Sequence, residues 1–113
     1  MNPLIDEYGN ERWRNEHGQL HRTDGPAVIH SNGDQFWYLN GMKHRTDGPA
    51  VIFTSGYQIW HLNGHLHRTN GPAILYPNGD KQYWIRGNRL TEDEFNDIIQ
   101  DEEHLNWFLL QIL

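Results

Sequence analysis

The sequence predicts a mainly β fold, an elongated antiparallel β-hairpin repeat meander with a C-terminal α-helical cap. Three observations carry that prediction. LHRTDGPAVI at 20–29, KHRTDGPAVI at 43–52 and LHRTNGPAIL at 66–75 are near-copies, two steps of 23 residues apart. Trp13, Trp37, Trp60 and Trp84 follow the same beat at steps of 24, 23 and 24, and Gly33, Gly56 and Gly79 at 23 and 23. Asn40-Gly41 and Asn63-Gly64 follow runs of β-forming residues, the strongest short hairpin signal. A fixed period of this size marks one small supersecondary unit stacked on copies of itself.

Each element follows from local chemistry. Residues 1–12 resemble a worn half-repeat forming the first cap, because Ile5 and Gly9 precede Trp13 at the spacing of Ile29 and Gly33 before Trp37. The hairpin repeats occupy 13–90. In the middle copy, Gln35-Phe36-Trp37-Tyr38-Leu39 should form one strand. A two-residue turn then sets Leu39 opposite Met42, Tyr38 opposite Lys43 and Trp37 opposite His44. The third copy repeats this around Asn63-Gly64, with Trp60 opposite His67. The first copy has one extra residue, which a three-residue loop Glu16-His17-Gly18 absorbs if Gly18 is left-handed. Each Thr-Asp/Asn-Gly-Pro that follows His-Arg breaks the strand. Short apolar strands at Ala27-Val28-Ile29, Ala50-Val51-Ile52 and Ala73-Ile74-Leu75 resume it.

Residues 91–113 form a different kind of segment, acidic and then apolar. Thr91-Glu92-Asp93-Glu94 is a capping box, and Phe95, Ile98 and Ile99 form an apolar stripe. One helix is expected over about 92–103, covering the open edge of the last repeat. Beyond it Trp107, Phe108, Leu109, Ile112 and Leu113 supply more apolar surface than one capping stripe needs. That surplus predicts a homo-oligomer, most simply a two-fold dimer, held through this tail. The competing reading folds the tail onto the chain's own sheet.

Composition narrows the function classes. The 113 residues suit one domain and contain no cysteine, which removes disulfides, thiolate zinc sites and thiol chemistry. Residues 1–91 carry nine Lys/Arg against eight Asp/Glu, while 92–113 carry seven acids and no Lys or Arg. A near-neutral repeat region gives no basic footprint for direct nucleic-acid binding and no attraction to an anionic membrane. No apolar run is long enough to span a bilayer and no signal-peptide layout opens the chain, so a soluble cytoplasmic protein is expected.

The residues Gly33…Trp37…Gly41…His44 and Gly56…Trp60…Gly64…His67 resemble the MORN repeat, with its 23-residue period, Gly-x-x-x-Trp strand and His beyond the turn. Where MORN repeats continue His-Gly-x-Gly, this chain continues His-Arg-Thr-Asp-Gly-Pro-Ala. That variant resembles repeat arrays encoded by tailed bacteriophages and large DNA viruses, as does the ending Leu90-Thr91-Glu92-Asp93-Glu94-Phe95. The resemblance covers roughly 5–96. It implies a hairpin-stack fold and a binding scaffold, here a viral accessory protein that binds and inhibits a host defence factor in the host cytoplasm.

Candidate chemistry lies in rows. Arg22, Arg45 and Arg68 pair naturally with Asp24, Asp47 and Asn70 two residues on, as turn braces. Alternatively the row, spaced about 10 Å apart because a repeat spans two strands, grips the phosphates of a nucleotide signal. Tyr38, Phe53 and Tyr76, with Phe36 and Tyr83, lie opposite the tryptophans and offer either base stacking, a partner anchor or a second packed face. His21, His44 and His67 recur too far apart to share a metal and should pack on their cross-strand Trp residues. No cofactor is expected. Catalysis is not expected either, since His and carboxylates recur along the array rather than converging once. The acidic helix also permits mimicry of nucleic acid.

Overall fold

The computed structural model of the chain describes residues 2–112; Leu113, placed in the oligomer tail above, lies outside them. Strands β1 (Leu4–Ile5) and β2 (Glu11–Arg12) open the chain. The first full repeat adds β3 (Val28–Ile29), β4 (Gln35–Phe36) and the hairpin β5 (Tyr38–Leu39) and β6 (Met42–Lys43). The next adds β7 (Val51–Ile52), β8 (Gln58–Ile59) and the hairpin β9 (His61–Leu62) and β10 (His65–Leu66). β11 (Ile74–Leu75), β12 (Lys81–Ile85) and β13 (Asn88–Leu90) complete the β region, and α1 (Glu92–Ile99) and α2 (Glu102–Gln111) close the chain.

The architecture is the expected elongated antiparallel meander, 48 × 34 × 17 Å, with a helical cap. Nine strands form one sheet in the order β1-β2-β3-β4-β7-β8-β11-β12-β13. The hairpins β5–β6 and β9–β10 pair in the expected register, Tyr38 with Lys43 and His61 with Leu66. Asn40 and Asn63 take φ of 48° and 49°, and Gly41 and Gly64 take 81° and 83°, the positive pair a type I′ turn needs. In the first repeat Gly18 takes φ 78° and Arg14 bridges Leu20, so the three-residue loop absorbs the extra residue.

The strands through Trp37 and Trp60 are not continuous, contrary to expectation. The Trp37 N–H donates to Ala50 O in the long sheet, while its carbonyl accepts from His44 N in the hairpin. Trp60 repeats both bonds with Ala73 and His67. Each of these residues is therefore the point where the chain leaves one ladder for the other. Hairpins in turn bond to their neighbours: Arg22 N to Tyr38 O, Arg45 N to His61 O and Arg68 N to Trp84 O.

The last repeat corrects the Trp periodicity by one residue. Ala73 N donates to Gln82 O as Ala27 N donates to Phe36 O, so Tyr83 holds the place of Trp37 and Trp84 that of Tyr38. The 24-residue step to Trp84 reflects a changed residue, not an insertion. Leu90, paired with Tyr83, stands at the His position, and Thr91 at the Arg position. Phe95 of α1 packs on Tyr83 with ring centroids 4.7 Å apart. The cap thus enters the array by covering the ring site that a loop covers elsewhere.

The core is thin. Ala27, Ala50 and Ala73 are fully buried where the chain re-enters the long sheet, joined by Trp13, Val28, Val51, Ile85 and Phe95. The capping box at Thr91 and Glu94 is present, but the helix expected over 92–103 is two helices. Asp101, at φ −154° and ψ 166°, breaks the first and caps the second by accepting from His104 N. An Asx N-cap competes with helix continuation for the same backbone, and here it wins.

Candidate functional site

The residues after each His-Arg build one motif three times. Arg45 places its guanidinium carbon 3.9 Å from the Trp37 ring centroid. Its Nε–H donates to Asp47 Oδ1 at 2.9 Å, and its Nη1–H to the Pro49 carbonyl at 3.1 Å. Arg22 does the same over Trp13 with Asp24 and Pro26, and Arg68 over Trp60 with Asn70 and Pro72. The glycine of each Asp/Asn-Gly-Pro closes the other side. A Cβ on Gly48 would lie 2.9 Å from Arg45 Cζ, and on Gly71 2.8 Å from Arg68 Cζ. Only glycine lets the loop backbone approach this closely. The arginine bond holds the Asp24 and Asp47 carboxyls below the ordinary carboxylate range.

The arginines therefore hold the places over the tryptophans that sequence reasoning assigned to the histidines. Each His instead links two repeats. His21 Nδ1 accepts from Asn40 N, His44 Nδ1 from Asn63 N and His67 Nδ1 from Arg86 N, at 2.9–3.0 Å. The residue facing each Trp thus gives its ring nitrogen to the next repeat, while the Arg that follows it covers the indole.

Between successive Arg-Thr-Asp loops the surface sinks into grooves. One of about 410 Å³ lies between Arg22–Gly25 and His44–Asp47, bordered by Trp37 and Leu39. The next, about 590 Å³, lies between Arg45–Pro49 and His67–Asn70, bordered by Trp60 and Leu62. Thr46 and Asp47 line both, so their loop is the wall between them. A third recess of about 270 Å³ adjoins Trp13 and His21 at the N-terminal end. The two larger grooves each combine an indole and a leucine with a braced cation, a hydroxyl and a carboxylate or amide. That mixture places apolar, hydrogen-bonding and charged groups within one recess.

The second row of candidate residues is a packed ladder. Phe36 meets Phe53 edge-on at 5.7 Å, Phe53 meets Tyr57 at 6.2 Å, and Tyr57 meets Tyr76 at 5.2 Å. The Tyr76 oxygen accepts from Gln82 Nε2. Tyr38 stands apart in the hairpin, half-buried, and burial raises its hydroxyl pKa. Beside the ladder, turns couple successive repeats: Asn10 accepts from Ser31 N, and Asp34 from Thr54 N. In the next repeat Tyr57 replaces the acceptor and Pro77 lacks the donor, so both partners disappear together.

In α2, Trp107 and Leu110 are 63% and 66% exposed, while Phe108, Leu109 and Ile112 are half-buried. Among the described residues no cluster of His, Asp and Glu could hold a metal ion. No helix among them is long and apolar enough to cross a membrane. Sequence reasoning named the arginines but missed the grooves, whose only sequence signal is that Thr-Asp/Asn-Gly-Pro recurs intact between strands. Compared with known proteins, the chain matches no family model, no curated protein and no solved structure.

Proposed function

We propose that this chain is a non-catalytic binding module that holds a linear partner along its row of grooves. One observation carries the reading: the same recess recurs one repeat on, with Trp, Leu, His, Arg and Thr in the same places. A catalytic site needs its groups to converge once, whereas repeated recesses favour an extended ligand that gains by occupying several. With the resemblance to virally encoded MORN-like arrays, the reading becomes a viral accessory protein that binds and inhibits a host defence factor in the host cytoplasm. The exposed Trp107 and Leu110 support self-association of two copies through α2, away from the grooves. The nucleotide-sequestering alternative has less support, because two of the three guanidinium nitrogens in each Arg are already engaged.

Thr46 is exposed and borders both grooves, so Thr46→Trp plugs them without touching the core. Affinity capture from a host-cell extract should recover partners with the wild-type chain and lose them with Thr46→Trp, at an unchanged melting temperature. Recovery of the same partners by both chains overturns the groove reading.

A further inference from the structure

We infer that the grooves take a proline-rich peptide in the polyproline II conformation, one turn of the peptide per groove. This rests on the groove reading above and adds the ligand class to it. The argument begins with pitch. Equivalent points on neighbouring repeats are two strands apart, about 9.6 Å at 4.8 Å per strand. Polyproline II has three residues per turn and rises 3.1 Å per residue, so its faces recur about every 9.3 Å. Every third side chain then points the same way and meets the next groove.

Other backbones fit worse. A β-strand that advances about 10 Å has moved three residues, and its side chains alternate, so successive grooves would be offered opposite faces. An α-helix advances a similar distance in two turns, but it is about 10 Å thick. The Thr46–Asp47 wall stands between the grooves, and a rod of that width would ride over it rather than enter. A slim extended chain can cross the wall and dip on both sides.

The lining chemistry agrees. A polyproline II chain makes no internal hydrogen bonds, so its carbonyls need outside donors. Thr23 and Thr46, exposed on the rims, present hydroxyls, and the third guanidinium nitrogen of Arg22, Arg45 and Arg68 faces no other bond among the described residues. Trp37 with Leu39, and Trp60 with Leu62, supply the aromatic and aliphatic surface on which proline rings settle. Because polyproline II is already formed in the free peptide, little ordering entropy opposes binding.

The test uses the full chain and fluorescently labelled peptides (Pro-Pro-X)n, with n of one, two or three and X as Leu, Tyr or Arg. At least one series should bind, with affinity rising at least about tenfold from one triplet to three as more grooves are filled. Thr46→Trp should remove that gain, and Thr46→Ser should keep it. Three results overturn the inference: no series binds, affinity is flat with length, or Thr46→Trp binds as well as wild type. If capture from extract is still lost in Thr46→Trp while no triplet peptide binds, the groove reading stands and only this ligand class fails. If Thr46→Trp changes neither experiment, both fail.

Discussion

Arg45 lies across Trp37 with Cζ 3.9 Å from the ring centroid, and this contact ties the loop to the strand of its own repeat. The cation lies against the ring's negative face, its edge bonds Asp47 and Pro49, and Gly48 closes the stack. The loop walls stay upright because this brace fixes them, so the grooves depend on it.

The brace should behave as a unit in a double-mutant cycle. Gly48 has no positive φ to penalise a side chain, so Gly48→Ala suffers only from displacing the guanidinium. It should cost about 1–2 kcal/mol, the scale of a cation–π contact plus a charged hydrogen bond. In an Arg45→Met background the same change should be nearly neutral. Denaturant melts of the four proteins check this, and equal costs in both backgrounds would show that Arg45 and Gly48 are uncoupled.

A second prediction concerns the last hairpin. Arg86 sits at φ 46°, where the equivalent turns use Asn, and left-handed backbone costs most L-residues about 1–2 kcal/mol. Arg86→Asn should therefore stabilise the chain by about 0.5–1 kcal/mol. A lower melting temperature would mean that Arg86 contributes a bond outweighing its strain.

Acid should loosen the array in a defined window. Burial, aided by Lys43, lowers the His61 pKa to about 4 from 6.5; burial, aided by Arg86, also lowers that of His67. The unfolded chain then binds protons more readily than the folded one, so stability falls as pH falls. It is full above about 6.5 and drains away toward pH 4 for His61. The lowered carboxyls, ordinarily at 3.8 for Asp24 and Asp47 and at 4.5 for Glu94, act at the acid end of this range, so the slope above about pH 5 reports histidine. His61→Gln should flatten the slope of melting temperature against pH there; an unchanged slope contradicts the assignment.

Much of this was legible in the sequence. Repeats of Asn-Gly announced the hairpins and their register, and Thr91 with Glu94 announced the cap. What failed was the fate of side chains where the chain changes ladder. Trp37 and His44 face each other by counting, yet the strand ends at Trp37 and the loop returns Arg45 to the ring. Trp84 looked like a fourth member of the Trp series because tryptophan is easier to see than Tyr83 in its place. Asp101 was hidden as an N-cap among acids that all suit a helix start.

The self-association prediction rests on α2. Trp107→Asp combined with Leu110→Asp removes the two exposed apolar side chains and should leave the repeats folded. Light scattering should show a dimer for the wild type and a monomer for the variant. A monomeric wild type at tens of micromolar, a concentration at which a modest interface already associates, sinks the idea.

The groove row is tested most directly by amide and indole chemical-shift mapping on the labelled chain, titrated with a partner recovered by capture. The account predicts shifts at Thr23, Asp24, Thr46, Asp47 and Thr69 and at the indoles of Trp37 and Trp60, with α2 and the Phe36–Tyr76 ladder silent. Shifts confined to α2 or to the ladder, with the loop threonines unmoved, would contradict it.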